Sequence, residues 1–261
     1  MFRRSVRLSL VLAAFAATTS MTAVAHAGYH PPTELTGGGG PVIPLKNAAM
    51  IVKTEGGFRY IAGQQNSHLT VSMADGKVRY VDTGTKELRD IPRACSRQSV
   101  RDGIAALCRI PAKFDDGKMF LEVWPRLGDD FVDGSTLSAR FRLWVLADAG
   151  FDTVYGGDGN DFVNGAQDND KARGGAGNDW IRTGIGNDKL RGGTGDDKLV
   201  GVDGRDRIRG GEGNDRVGGG SGSDALWAGT GRDKVACGGG NDDAYIDGSD
   251  RASECESVAR Y

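Results

Sequence analysis

Eleven aspartates stand at every ninth residue of this sequence: Asp152, Asp161, Asp170, Asp179, Asp188, Asp197, Asp206, Asp215, Asp224, Asp233 and Asp242. Each follows a glycine-rich bend, as in "GGDGNDFVN" (156–164), "GGAGNDWIR" (174–182) and "GGEGNDRVG" (210–218). Glycines let the chain take conformations closed to other residues and expose its carbonyl oxygens. Asp adds the shortest carboxylate. Carboxylate and carbonyl oxygens together are a hard donor set, suited to a divalent cation that accepts many oxygen ligands. Zinc chemistry would need His or Cys at such positions, and magnesium a tighter octahedron that keeps its waters.

The interval has an architectural meaning too. Residues 147–245 divide into eleven nonapeptides without insertion, with Asp at position six. Position eight is aliphatic: Val154, Val163, Ala172, Ile181, Leu190, Leu199, Ile208, Val217, Leu226, Val235 and Ala244. A unit of nine cannot bury anything alone, so units must stack. An apolar residue between two polar ones predicts a three-residue strand with its middle side chain inward, and the six residues before it a turn. Stacking unit n on unit n+2 would line Asp179, Asp197, Asp215 and Asp233 along one edge. Asp170, Asp188, Asp206, Asp224 and Asp242 would line the other. Asp168, with Ala166 and Gln167, weakens the third unit, Val202 the seventh, and Ala147-Asp148 the first.

The pattern Gly-Gly-x-Gly-x-Asp followed by x-aliphatic-x resembles the hemolysin-type, or RTX, calcium-binding nonapeptide repeat. That resemblance implies a parallel β-roll with two nonapeptides per turn. It also implies calcium between the loops of successive turns, held by the eleven aspartates and loop carbonyls. Eleven units make nine stacked pairs, which sets a ceiling of nine ions. Binding energy would then be part of the folding energy, because like charges in adjacent turns repel without metal.

The rest of the chain frames that roll. Residues 1–27 carry Arg3, Arg4 and Arg7, an apolar run and Ala25-His26-Ala27, the pattern of a cleaved signal peptide. Residues 28–48 read as a flexible lead-in containing "TELTGGGGP". Residues 49–146 hold short runs such as "FRYIAG", "HLTVSM", "MFLEVW" and "ARFRLWVL", which predict strands and a small β-rich domain. The fold class expected is all-β, this domain preceding the C-terminal roll, with residues 246–261 as a cap. "LGDDFVDG" (127–134) already carries the Gly-x-Asp-x-aliphatic spacing at Gly128, Asp130 and Val132, and Asp247 and Asp250 extend the acidic character past Tyr245.

Four cysteines, Cys95, Cys108, Cys237 and Cys255, allow three pairings, of which proximity favours Cys95–Cys108 and Cys237–Cys255. Disulfides suit an exported protein, released or held at the cell surface. Of 33 Lys and Arg, three lie in the leader, leaving 30 against 35 acids, a mild balance that argues against a nucleic-acid partner. After cleavage no segment would cross a membrane.

Catalytic motifs are missing. The mature chain has only His30 and His68, there is no H-E-x-x-H, and no serine has glycine at both minus two and plus two. Asp115, Asp116 and Glu122 fit a turn and an exposed strand as well as a carboxylate pair. The expectation is therefore a calcium-stabilised structural module and not an enzyme, with a secreted hydrolase of unrecognised fold as the remote alternative. A nearer one is a calcium-dependent binding module for an anionic envelope or matrix polysaccharide. Lys171, Arg173, Lys189, Arg191, Arg207 and Arg209 would face outward from one sheet, and Trp180, Arg182, Lys198, Arg216 and Lys234 from the other, Trp180 being the candidate contact.

Overall fold

The computed structural model describes residues 47–114 and 118–261. The expected leader, all but the last two residues of the lead-in, and the Asp115-Asp116 turn lie outside them. Among the described residues no helix is long and apolar enough to cross a membrane. The chain is all-β.

From Met119 onward, alternate strands go to alternate sheets. One sheet has 11 strands, the other 12. Strands 18 residues apart pair in parallel and in register: Phe162 with Trp180, Trp180 with Lys198, Lys198 with Arg216 and Arg216 with Lys234 in the first. Lys171, Lys189, Arg207 and Ala225 do the same in the second. Each turn of the coil is thus two nonapeptides, as the repeat implied.

The strands are longer than the sequence predicts. Trp180–Ile185, Lys198–Asp203 and Arg216–Ser221 each run six residues, from position seven through position three of the next unit. The two consecutive glycines bend the ribbon without ending its pairing, so only positions four to six remain as turn. At position two the bend needs φ in the left-handed half of the map, 116° at Gly175 and 135° at Gly193. Ala166 (77°) and Val202 (110°) hold the same place without being glycine, and Asp168 (71°) stands at position four. The doubtful third and seventh units therefore keep the common backbone, at a cost in strain. A β-branched residue is least at ease there. Val202→Gly is expected to stabilise the protein by about 1–2 kcal/mol, the strain relieved less the entropy glycine adds. A thermal melt in calcium checks this, and an unchanged or lower midpoint would contradict it.

The roll also begins earlier than residue 147. Met119–Trp124, Phe131–Asp133 and Phe141–Leu146 already stack in parallel beneath the repeats. Gly57–Ile61 and His68–Ala74 join them, also in parallel. Ahead of these the chain turns antiparallel, in the pairs Ala48–Lys53 with Gly57–Ile61 and His68–Ala74 with Lys77–Asp82. The β-rich half and the roll thus share both sheets. Each end is clipped. Cys95–Cys108 joins opposite residues of the two outermost strands at the front, and Cys237–Cys255 ties the last turn at the back.

One core runs through the coil. At the front it is broad, with Phe58, Tyr60, Leu69, Tyr80, Met119 and Leu121 fully buried. In the repeats it narrows to the position-eight side chains, Ile181, Leu199, Ile208 and Leu226 being sealed completely. One buried aliphatic per nine ordered residues leaves most of the conformational entropy to be offset by hydrogen bonds, and by whatever neutralises the carboxylates.

Candidate metal centre

Every position-six aspartate is turned into the coil and at most 3% exposed. The tight bend before it aims the short side chain inward, where, in all but Asp161, its Oδ1 accepts the backbone N–H of the aspartate one turn earlier. On one edge Asp179, Asp197, Asp215 and Asp233 accept in this way from Asp161, Asp179, Asp197 and Asp215, at 2.7–2.8 Å. On the other edge Asp170, Asp188, Asp206, Asp224 and Asp242 accept from Asp152, Asp170, Asp188, Asp206 and Asp224, at 2.8–2.9 Å. The two rows are those expected from stacking unit n on unit n+2.

The second oxygen is different. Oδ2 of Asp152, Asp170, Asp179, Asp188, Asp197, Asp206, Asp215, Asp224, Asp233 and Asp242 is buried without any hydrogen-bond partner. A buried polar atom in that state is costly, and ten in register are a design. Asp82, as deeply buried, shows the contrast: its Oδ1 takes the N–H of His68 and Gly84, and its Oδ2 the hydroxyls of Tyr60, Ser67 and Thr85. Asp161 is satisfied as well, by the N–H of Leu143 and of Gly157.

What surrounds the orphan oxygens is more oxygen. Beside Gly192, the point where a Cβ would stand lies 2.1 Å from Asp197 Oδ2 and 2.7 Å from the carbonyl of Gly210, one turn on. Beside Gly201 the distances are 1.8 Å to Asp206 Oδ2 and 2.8 Å to the Gly219 carbonyl, and beside Gly219 they are 2.4 Å to Asp224 Oδ2 and 2.5 Å to the Cys237 carbonyl. Position one is glycine because a Cβ there would clash with both oxygens. Two buried acceptors lie near each other there with no proton between them, an arrangement that a bound cation would relieve. Among the described residues no three His, Cys, Asp or Glu side chains converge, so carbonyls must supply much of any coordination shell.

Residues 144–172, 165–199, 173–208, 191–226, 200–235 and 218–249 match the family model of the RTX calcium-binding nonapeptide repeat (four copies). Residues 144–249 are RTX calcium-binding nonapeptide repeats. No curated protein matches the chain as a relative.

Burial sets the titration of the RTX aspartates. It pushes Asp179 up to about 9, Asp152 and Asp170 to about 8, and Asp161, Asp197 and Asp206 to about 7. Asp215 rises to about 6, and Asp188, Asp224 and Asp233 are raised too. The N–H of the preceding turn opposes each rise, while the carboxylate of a neighbouring turn adds to that of Asp179, Asp197, Asp206, Asp215 and Asp224.

The aspartate rows outrun the eleven nonapeptides. Asp130 stands below Asp152, giving its N–H to Asp152 Oδ1 and accepting that of Ser67, with its own Oδ2 unpartnered. At the far end Asp250 and Glu256 accept the N–H of Asp233 and Asp242. The Gly128-Asp130-Val132 spacing was visible in the sequence, and Asp250 only as a continuing acid; Asp250 follows Asp233 by 17 residues and Glu256 follows Asp242 by 14, both off the repeat spacing. Position five, variable in sequence, holds a second ladder running the opposite way. Asn160, Asn178 and Asn187 accept the N–H of Asn178, Asp196 and Arg205, and Asp196 that of Asn214. Only an exposed side-chain oxygen is needed there, so Asp can replace Asn.

The other chemistry-bearing residues stand apart from these rows. The exposed His68 packs on Phe131, ring centroids 4.4 Å apart, and Glu122 is held by Arg59 at 2.6 Å.

Proposed function

We propose that the chain is an exported module whose repeats are locked by calcium, with Asp152, Asp161, Asp170, Asp179, Asp188, Asp197, Asp206, Asp215, Asp224, Asp233 and Asp242 as its side-chain ligands. The observation that carries this reading is the register of unpartnered carboxylate oxygens against carbonyls. Asp161 differs in having both oxygens satisfied, and must release Gly157 to take part. Calcium would neutralise each row and bridge one turn to the next, up to nine ions over eleven units. The two disulfides fit an oxidising compartment, where the roll would meet calcium at the levels that weak extracellular sites require. Residues 1–27 would be the leader that takes it there. A structural role fits the sequence better than catalysis. A second reading, calcium-dependent attachment to an anionic envelope or matrix polysaccharide, rests on the exposed cations of one sheet.

Calorimetric titration of the purified chain tests the first reading. Uptake of several calcium ions is expected, with little from magnesium at the same concentration. Equal heats from both ions, or none from calcium, would remove the proposal. One position separates the ligand role from the hydrogen-bond role. Asp206→Asn keeps an oxygen for the Asp188 N–H and turns a donor toward the Gly219 carbonyl. It is expected to lower calcium stoichiometry while leaving the metal-free roll at pH 5, where the rows are protonated, as ordered as the parent. Asp206→Ala should lose calcium and also cost about 1–3 kcal/mol for the backbone donor left unpaired. If Asp206→Asn binds as much calcium as the parent, the carboxylate is a structural acceptor only.

A further inference from the structure

We propose that one face of the roll is a track for a linear polysaccharide carrying an acidic group on each ring. The 12-stranded sheet presents six cations as a grid. Lys171, Lys189 and Arg207 form one column, and Arg173, Arg191 and Arg209 the next. Cations within a column are about 4.8 Å apart, and the two columns about 7 Å apart. All six are exposed, and among the described residues none forms an ion pair. They line a groove of about 270 Å³ together with Tyr155, Ala172 and Leu190. Like charges facing each other across a strand pair destabilise a sheet. A face kept merely soluble would mix its signs, and these two columns do not. The acids of the same sheet stand off the two columns: Asp133 pairs with Tyr155 before them, Asp243 with Ala225 beyond them, and the exposed Glu212 lies three residues past Arg209 at the far end of its strand.

The arginine column ends in aromatic rings on both sides. Tyr155 precedes Arg173, and Trp227 and Tyr245 follow Arg209, in one register. Arg173 lies over Tyr155 and Arg209 over Trp227, at 5.2 and 4.9 Å, while Trp227 and Tyr245 stack 5.1 Å apart and almost parallel. Flat rings beside guanidinium groups suit sugar rings that carry carboxylate or sulfate, and one cation per strand spacing suits one charge per ring. A nucleic-acid duplex fits worse. It carries a charge every ~1.7 Å of axis, far denser than the columns, and it is much wider than a track two residues across. The grid exists only while the turns are stacked, so this inference rests on the calcium-locked roll.

Binding of short dextran sulfate chains to the full chain in calcium tests it, with uncharged dextran as the blank and a single-stranded oligonucleotide as the rival. Dextran sulfate should bind and dextran should not. Lys189→Gln with Arg191→Gln should weaken binding about tenfold, two exposed charge contacts being lost. Arg216→Gln with Lys234→Gln removes the same charge from the opposite sheet and should change binding less than twofold. Circular dichroism and calcium content are read on every sample. A folded, calcium-free protein that still binds would sink the calcium reading and leave the track standing. The track is overturned if dextran is bound as well as its sulfate, if the two double variants lose equally, or if the oligonucleotide binds more tightly at equal salt.

Discussion

In chelator at pH 8, the repeats are expected to lose their ordered β-structure while the front of the molecule keeps its own. The boundary follows from the core. Around Phe58, Tyr60, Leu69, Tyr80, Met119 and Leu121 the sheets bury large side chains, close with antiparallel pairs and satisfy Asp82 completely. Beyond Tyr155 each nonapeptide contributes one aliphatic at position eight and, with Asp161 excepted, one carboxylate oxygen without a partner. Ionised and metal-free, those rows repel along their length. A site with a dissociation constant of about 0.1 mM gains about 2.7 kcal/mol in 10 mM calcium. Four such sites add on the order of 10 kcal/mol, comparable to the whole stability of an ordinary domain. A thermal melt should therefore show two transitions in chelator, and in calcium one later transition or two close together. Hydrogen exchange should show loss of protection confined to residues beyond about 155. Superimposable melts with and without calcium would mean that hydrogen bonds and the thin core suffice, and the calcium lock would fall.

The roll was legible because its physics is periodic. An aspartate and an aliphatic at fixed places in each nonapeptide give the number of residues per turn, the inward row and both acidic edges, and each returns in the pairing of Phe162 with Trp180 and Lys189 with Arg207. Strand length was not legible. Gly174-Gly175 and Gly192-Gly193 read as turn in a sequence, and only the neighbouring turn, through pairs such as Gly175 with Gly193, holds them in a ribbon. The start of the roll was hidden for a related reason. Phe131–Asp133 and Phe141–Leu146 take their places by stacking, with connections that break the nine-residue count, so only the Gly128-Asp130-Val132 spacing betrayed them. Glu256 shows the same limit from the side of chemistry. It ends a row of aspartates with a longer side chain reaching from a different backbone position, and no motif carries that substitution. The unpartnered oxygens lay furthest beyond the sequence. The repeat names the carboxylates, but that one oxygen is used and the other left among carbonyls is a property of three dimensions.

Acid should do part of calcium's work. Folded and metal-free, Asp152, Asp161, Asp170, Asp179, Asp197, Asp206 and Asp215 hold protons up to about pH 6–9, because burial penalises their charge, whereas in the unfolded chain they titrate near the ordinary carboxylate value of 3.8. Raised folded values mean that the folded state binds more protons between those limits. Its stability is then greatest below the unfolded value and is lost as pH rises through the folded ones. The metal-free roll is therefore expected to melt at a higher temperature at pH 5 than at pH 8. Because neighbouring turns interact, the row should titrate over a broad span. Calcium requires the charged form, so its uptake should weaken as pH falls and should release protons. Calorimetry in two buffers of different ionisation heat counts them. The window from pH 5 to 8 isolates the aspartate rows, since ordinary carboxylates are already ionised there and the sequence holds only three histidines. A metal-free roll that melts at the same temperature across this window, or higher at pH 8, would show that the second oxygens are hydrated or otherwise satisfied. The case for a cation between turns would then lose its physical basis, whatever the repeat resembles.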